Sequence, residues 1–134
     1  MTEKLIAQHG LDDCIEFVHG ISNEEVVHRY AQATVAVVPS EYEGFGLPAA
    51  EAMACGVPVV STNGGALAEV VGDAGIVVDK ANPSALASAM NQLLSDEALR
   101  KSYADKGRQH ILQHFSAPRA AEMLEEYYST VINP

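Results

Sequence analysis

Basic residues are scarce in this chain: eight Lys and Arg stand against eighteen Asp and Glu, giving a net charge of −10 over 134 residues. Nucleic acid and anionic membranes both reward clustered Lys and Arg, so neither is expected as a partner. No basic residue lies between Arg29 and Lys80. Long apolar runs are also missing. None approaches the ~20 residues that cross a bilayer, and the N-terminus lacks the basic and apolar blocks of a signal peptide, which predicts a cytoplasmic chain with no transmembrane segment. The only cysteines, Cys14 and Cys55, have neither metal-ligand nor redox spacing and are expected as reduced, buried thiols. There is no internal repeat, linker or low-complexity stretch. The length leaves room for one domain over residues 1–134 with a modest core, burying roughly two thirds of its unfolded surface.

Short apolar stretches alternate with helical patterns. Glu3 to Gln8 reads as the tail of a helix stopped at Gly10, and Ile15 to Val18 as a first short strand. Ser22-Asn23-Glu24-Glu25 has the capping-box pattern, so a helix is expected from Asn23 to Ala33. Thr34 to Val38 follows as a strand. Its Val35-Ala36-Val37-Val38 run is continuous and rich in β-branched residues, the mark of a parallel strand buried on both faces, and Pro39-Ser40 ends it. Val57 to Ser61 and Gly75 to Val78 are further strands, with a turn at Asn63-Gly64-Gly65 opening a short helix Ala66 to Val71. Pro83 to Leu94, Asp96 to His114 and Pro118 to Ile132 have apolar residues spaced three and four apart, as helices do. Tyr103, Ile111, Leu124, Tyr127 and Tyr128 are expected to pack inward or between helices. Alternation of this kind predicts an α/β fold, a parallel sheet of about four strands with helices on its faces.

The stretch Glu43-Gly44-Phe45-Gly46-Leu47-Pro48-Ala49-Ala50-Glu51 carries most of the functional information. It runs from a strand end into a helix, with Pro48 at the first helical position and Gly56 ending the helix. Gly44 and Gly46 allow close backbone approach to a ligand. Glu51 falls near the first turn, where the helix dipole favours a carboxylate able to accept hydrogen bonds from hydroxyls. In open α/β sheets ligands bind beyond the carboxyl ends of the strands, which is where this passage sits.

The run from Ile15 to Val78, with PSEYEGFGLPAAEAMACGVPVVSTNGG and AEVVGDAGIVV in that order, resembles the donor-binding C-terminal domain of the retaining GT-B glycosyltransferases, group 1 (family 4-like). The likeness extends more loosely through the helical C-terminus. It implies a Rossmann-like fold and a donor-binding set of Glu43, Gly44, Phe45, Gly46, Leu47, Glu51, Thr62, Gly64, Gly65 and Ala66. Glu43, the catalytic candidate, would face the transferred sugar, and the backbone at Phe45, Gly46 and Leu47 would donate to sugar hydroxyls or phosphate. Glu51 would hold ribose hydroxyls, and the Gly64-Gly65-Ala66 turn would lie near the diphosphate. The substrate implied is a nucleotide-diphosphate sugar, with hexosyl transfer as the activity and no cofactor or metal. Catalysis would come from charge stabilisation rather than a covalent glutamate.

The chain departs from that pattern by lacking the first βαβ unit, which supplies an Arg and a Lys to the diphosphate, and the N-terminal acceptor domain. A fragment is expected, weak in donor binding and with little or no turnover. Met1-Thr2-Glu3 interrupts what looks like a helix already under way. With strand order 3-2-1-4-5-6 the centre of the sheet would be absent. Ile15 to Val18 would then pair directly with Thr34 to Val38, or the open edges would be satisfied by another copy as a homodimer. A non-catalytic module that self-associates or completes a partner's sheet is the alternative function.

Other readings are weaker. Gly44-x-Gly46-x-x-Ala49 imitates a dinucleotide fingerprint, but Ser61-Thr62 lacks the acidic residue for the ribose. A glycoside hydrolase would need one of the two glutamates with a raised pKa, against the helix dipole. His110 and His114 lack a third metal ligand, and Ser40 lacks a nucleophile elbow. His19 reads as a loop residue. Asn63 is a further candidate for a polar ligand contact, and Tyr42 for stacking on a base or sugar or covering the loop.

Overall fold

In the computed structural model, which describes residues 2–132, Val59–Thr62 (β2) is buried at every position. The reason is its place between two parallel neighbours, Ala36–Val38 (β1) and Ile76–Val78 (β3), in the order β1-β2-β3. Val37 pairs with Val60, and Ser61 with Val77. A strand flanked on both sides and covered on both faces favours apolar side chains, which Val59 and Val60 supply, and the small hydroxyl residues Ser61 and Thr62 are buried with them.

Helices cover the two faces. Thr2–Gln8 (α1) and Asn23–Gln32 (α2) precede β1, and Leu47–Ala54 (α3) and Leu67–Val71 (α4) form the two crossovers. Val59 faces a cluster that includes Met53 of α3 and Leu67, Val70 and Val71 of α4. Val60 faces the opposite cluster, with Ala89 and Leu93 of Pro83–Ser95 (α5). Met53, Leu67 and Leu93 are fully buried, each contributing about 1.5–3 kcal/mol through apolar burial. Glu97–His114 (α6) serves both clusters: Leu99 and Tyr103 join the second, and Ile111 and Phe115 the first. Ala117–Ile132 (α7) ends the described chain. Among the described residues no helix is long and apolar enough to cross a membrane.

Caps agree with the sequence. Ser22 accepts from the Glu25 N–H at 3.2 Å, Asn82 from Ala85 at 3.0 Å and Asp96 from Leu99 at 2.9 Å.

Four expectations are corrected. The described sheet has three strands, not about four, because Ile15 to Val18 forms no ladder. Ile15 is extended, with φ −121° and ψ 125°, yet an extended segment becomes a strand only by finding a partner. It does not pair with β1. A cleft of ≈ 380 Å³ lined by Ile21, Val26, Tyr30 and β1 itself lies along that edge, and Phe17 is 56% exposed. The Glu16–Arg29 ion pair, 3.2 Å, ties the segment to α2. Secondly, Ala36 and Val37 are half-buried rather than buried, as befits an edge strand. Thirdly, Leu124, Tyr127 and Tyr128 are exposed, since α7 has no buried residue. Finally, Cys14 is an exposed thiol and Cys55 a half-buried one, both free. Met1, named in the helix-interruption expectation, lies outside the described residues.

Candidate functional site

Two loops leave the carboxyl ends of neighbouring strands, Pro39–Gly46 after β1 and Asn63–Ala66 after β2, and they are stitched together through the backbone. The Thr62 hydroxyl donates to the Ser40 carbonyl. The Ala66 N–H donates to the Glu43 carbonyl at 3.0 Å. A Cβ on Gly64 would lie 2.7 Å from the Glu41 oxygen, and one on Gly65 would collide with the Glu43 carbonyl oxygen. Gly65 also has φ +62°, a left-handed conformation that L side chains avoid. The Gly-Gly pair is therefore dictated first by the close approach of the two loops.

Glu43 is half-buried in this seam, and its carboxylate accepts from Ser40 Oγ at 2.9 Å. Gly46, with φ +91°, turns the chain into α3 and packs on Leu67 of α4. Among the described residues no acceptor takes the N–H groups of Gly44, Phe45, Leu47 or Gly65. One sheet end thus presents a carboxylate beside several uncommitted donors. Such a set can accept hydroxyl protons and donate to anionic oxygens at once.

Glu51 is exposed on α3 and lines a groove of ≈ 330 Å³ with Asn23, Val26, Val27 and Tyr30 of α2 and Ala54 and Cys55. Tyr30 closes one side, its hydroxyl donating to the Pro48 carbonyl at 3.2 Å. Burial raises the Tyr30 phenol above its ordinary pKa, and the charges of Glu51 and Cys55 add to the effect. The two glutamates thus occupy adjoining but different settings, one in the loop seam and the other over an apolar groove.

The remaining candidates fall into place. Thr62 is 4% exposed, and its hydroxyl serves the seam. Asn63 is committed at both ends, donating to Asp79 and accepting from the Lys80 N–H, each at 2.9 Å. His110 Nε2 lies 3.0 Å from the Val70 carbonyl, and its ring is 4.9 Å from that of His114. Among the described residues no group of three or more His, Cys, Asp or Glu converges as a metal-binding set. His19 lies on the unpaired segment, and Tyr42 is 78% exposed. Sequence reasoning missed the role of Ser40 in orienting Glu43, a side-chain bond within a loop that follows no helical or strand period. It also missed Phe115, whose ring meets Phe45 edge-on at 6.2 Å, a contact across 70 positions that no local pattern announces.

Comparison with known proteins bears on this geometry. Residues 1–110 match the model of the glycosyl transferases group 1. The chain is 40% identical to the MMP alpha-(1->4)-mannosyltransferase of Mycolicibacterium hassiacum over 98% of its own length and 33% of that protein. It superposes on sucrose-phosphate synthase from Thermosynechococcus elongatus with a TM-score of 0.86 and 34% identity, again covering 98% of this chain and 33% of the other. The Anabaena HepE protein, solved in complex with UDP-glucose, shares the fold at a TM-score of 0.85 and 23% identity, over 96% and 36% of the two chains. The chain thus spans about one third of the length of the relatives it matches. On the strength of the family match across most of its length, this protein belongs to the group 1 glycosyltransferases.

Proposed function

We propose that the chain is the nucleotide-sugar-binding part of a retaining hexosyltransferase, within a partial donor domain over residues 1–134 that includes the C-terminal helices. The observation that carries the reading is the seam between the β1 and β2 loops, where the Glu43 carboxylate lies beside uncommitted backbone N–H groups at the carboxyl end of parallel strands. Support comes from a mannosyltransferase relative at 40% identity and from the UDP-glucose held by a protein of the same fold.

In this reading Glu43 faces the transferred hexose and stabilises the positive charge that develops on it as the bond to the diphosphate lengthens. It forms no covalent bond. The N–H groups of Phe45, Gly46 and Leu47 donate to sugar hydroxyls or phosphate, with Gly44 permitting the approach. At the second loop, the Gly65 N–H is the donor that faces the diphosphate, because the Ala66 N–H already serves Glu43. Gly64 and Thr62 contribute by holding the seam. Glu51 accepts from the ribose hydroxyls over the α2–α3 groove. No protein nucleophile, metal or cofactor enters the scheme. With −10 net charge and about a third of its relatives' length, the chain by itself binds donor weakly and turns over little or nothing; the acceptor side belongs to a further domain.

Titration of the chain with UDP, GDP and ADP and their glucose or mannose conjugates, by calorimetry and backbone NMR, tests this. Micromolar to millimolar binding is expected, with shifts at Gly44 to Leu47. Glu51→Ala should weaken it roughly tenfold or more, the loss of hydrogen bonds to a charged acceptor. A folded chain whose loop amides respond to none of these ligands overturns the reading. If that chain also self-associates in sedimentation, the open edge of β1 points instead to a non-catalytic, sheet-completing module.

A further inference from the structure

We propose that Phe115, at the C-terminal end of α6, is a positioning residue that holds the Gly44–Leu47 loop in place through the ring of Phe45. The functional meaning of this clamp rests on the donor-site reading above; its mechanical part does not.

The loop is anchored unevenly. Up to Glu43 it is fixed by bonds to the β2 loop, from Thr62 to Ser40 and from Ala66 to Glu43. From Gly46 onward it is fixed by α3 and by packing on Leu67. Between these anchors lies Gly44-Phe45. Gly44 has open space where a Cβ would stand, and among the described residues neither N–H of the pair meets an acceptor. A glycine followed by a half-exposed residue with no backbone bond is free to reorient its peptide planes, and those planes carry the N–H groups assigned to the donor. The restraint present is the side chain of Phe45. Although 51% exposed, its ring meets that of Phe115 at 90° and 6.2 Å, the edge-to-face arrangement that aromatic quadrupoles favour.

Phe115 is itself well held. Its N–H donates to the Ile111 carbonyl at 2.9 Å, it packs against the buried cluster of α3 and α4, and the His110 ring lies 5.7 Å away. His110 is in turn tied to the Val70 carbonyl at the end of α4. The orientation of the loop is thereby referred to α6 and α4 instead of being left to local backbone preference. Preorganised donors are worth more than donors that must be ordered on binding.

The test uses the 134-residue chain with Phe115→Leu, Phe45→Ala and the double variant, read by ¹⁵N relaxation and amide exchange at Gly44 to Leu47 and by titration with UDP-glucose, GDP-mannose and ADP-glucose. Leucine keeps most of the apolar volume beneath the loop, and Phe45→Ala alters an exposed side chain, so loss of folding does not mask the answer. Expected for Phe115→Leu are loop amides that become mobile and exchange several-fold faster, with β2 and α5 amides unchanged. Donor binding should weaken roughly three- to tenfold. In the Phe45→Ala background the same substitution should have no further effect on the loop. Unchanged loop amides in Phe115→Leu, or an equal effect in both backgrounds, overturns the clamp. So does unaltered binding in Phe115→Leu by a chain that otherwise binds donor. If the loop loosens as expected but the wild-type chain binds none of the three donors, the clamp stands and the donor-site reading fails.

Discussion

The seam around Glu43 and the segment from Cys14 to Ile21 make opposite use of similar means. Each is a connecting stretch beside an edge or end of the sheet, and each has backbone groups that cannot all be satisfied locally. The Pro39–Gly46 loop finds its partners in the next loop, with Ser40 and Glu43 carbonyls taken by Thr62 and Ala66 and two glycines allowing the approach. The Cys14–Ile21 stretch leaves a 3-10 turn at Cys14 and is extended at Ile15; despite Ile15, Phe17, Val18 and Ile21 it forms no ladder, and an exposed ion pair from Glu16 ties it to α2, an interaction worth ~0–1 kcal/mol. What separates them is the availability of a partner within reach, not intrinsic propensity. The cross-linked loop is the one that bears the candidate chemistry.

Substitutions can break or sharpen this contrast. The largest effect is expected from Gly65→Ala, where the added methyl meets the Glu43 carbonyl and the backbone is left-handed. Strain and overpacking together should cost about 3 kcal/mol or more in chemical denaturation. A loss under 1 kcal/mol would mean that the two loops are not truly in contact. Thr62→Val removes the bond to Ser40 while keeping shape, and about 1 kcal/mol is expected from a half-buried carbonyl left without its donor. Equal stability with unchanged Glu43 shifts would show that the seam does not depend on that bond. At the other end of the scale, Phe17→Ser should change stability by less than about 0.5 kcal/mol, and amide exchange over 15–18 should be fast in both forms. A larger loss, or slow exchange there, would mean that the segment is paired in solution and that the contrast drawn above is false.

Much of this was legible in the residues themselves. The buried β2 strand followed from its continuous run of valines around Pro58, and the start of α3 from Pro48. The cap of α2 followed from Ser22, whose side chain bonds to backbone three residues on. The Glu43–Glu51 passage was recognisable because its chemistry is contiguous. The errors share one cause. Ile15 to Val18 and the Leu124, Tyr127 and Tyr128 stripe have the correct periodicity for strand and packed helix, but periodicity reports what a segment can bury and not whether anything is there to bury it. Thr62 and Asn63, named as polar candidates for a ligand, also bond within the chain to Ser40, Asp79 and Lys80. Partners that lie 16 to 22 positions away leave no local trace.

The sequence by itself determined the alternation of strand and helix, the family, and the identity of the loop-to-helix passage that bears Glu43 and Glu51, because these depend on short-range spacing and on residue chemistry. The tertiary structure alone decided that Gly64 and Gly65 are required by a neighbouring backbone, that Ser40 orients Glu43, that Phe115 reaches Phe45, and that Ile15 to Val18 goes unpaired. Each of these depends on which surfaces the folded chain brings within a few ångströms of one another, and contact at that range is a property of packing that no single stretch of residues encodes.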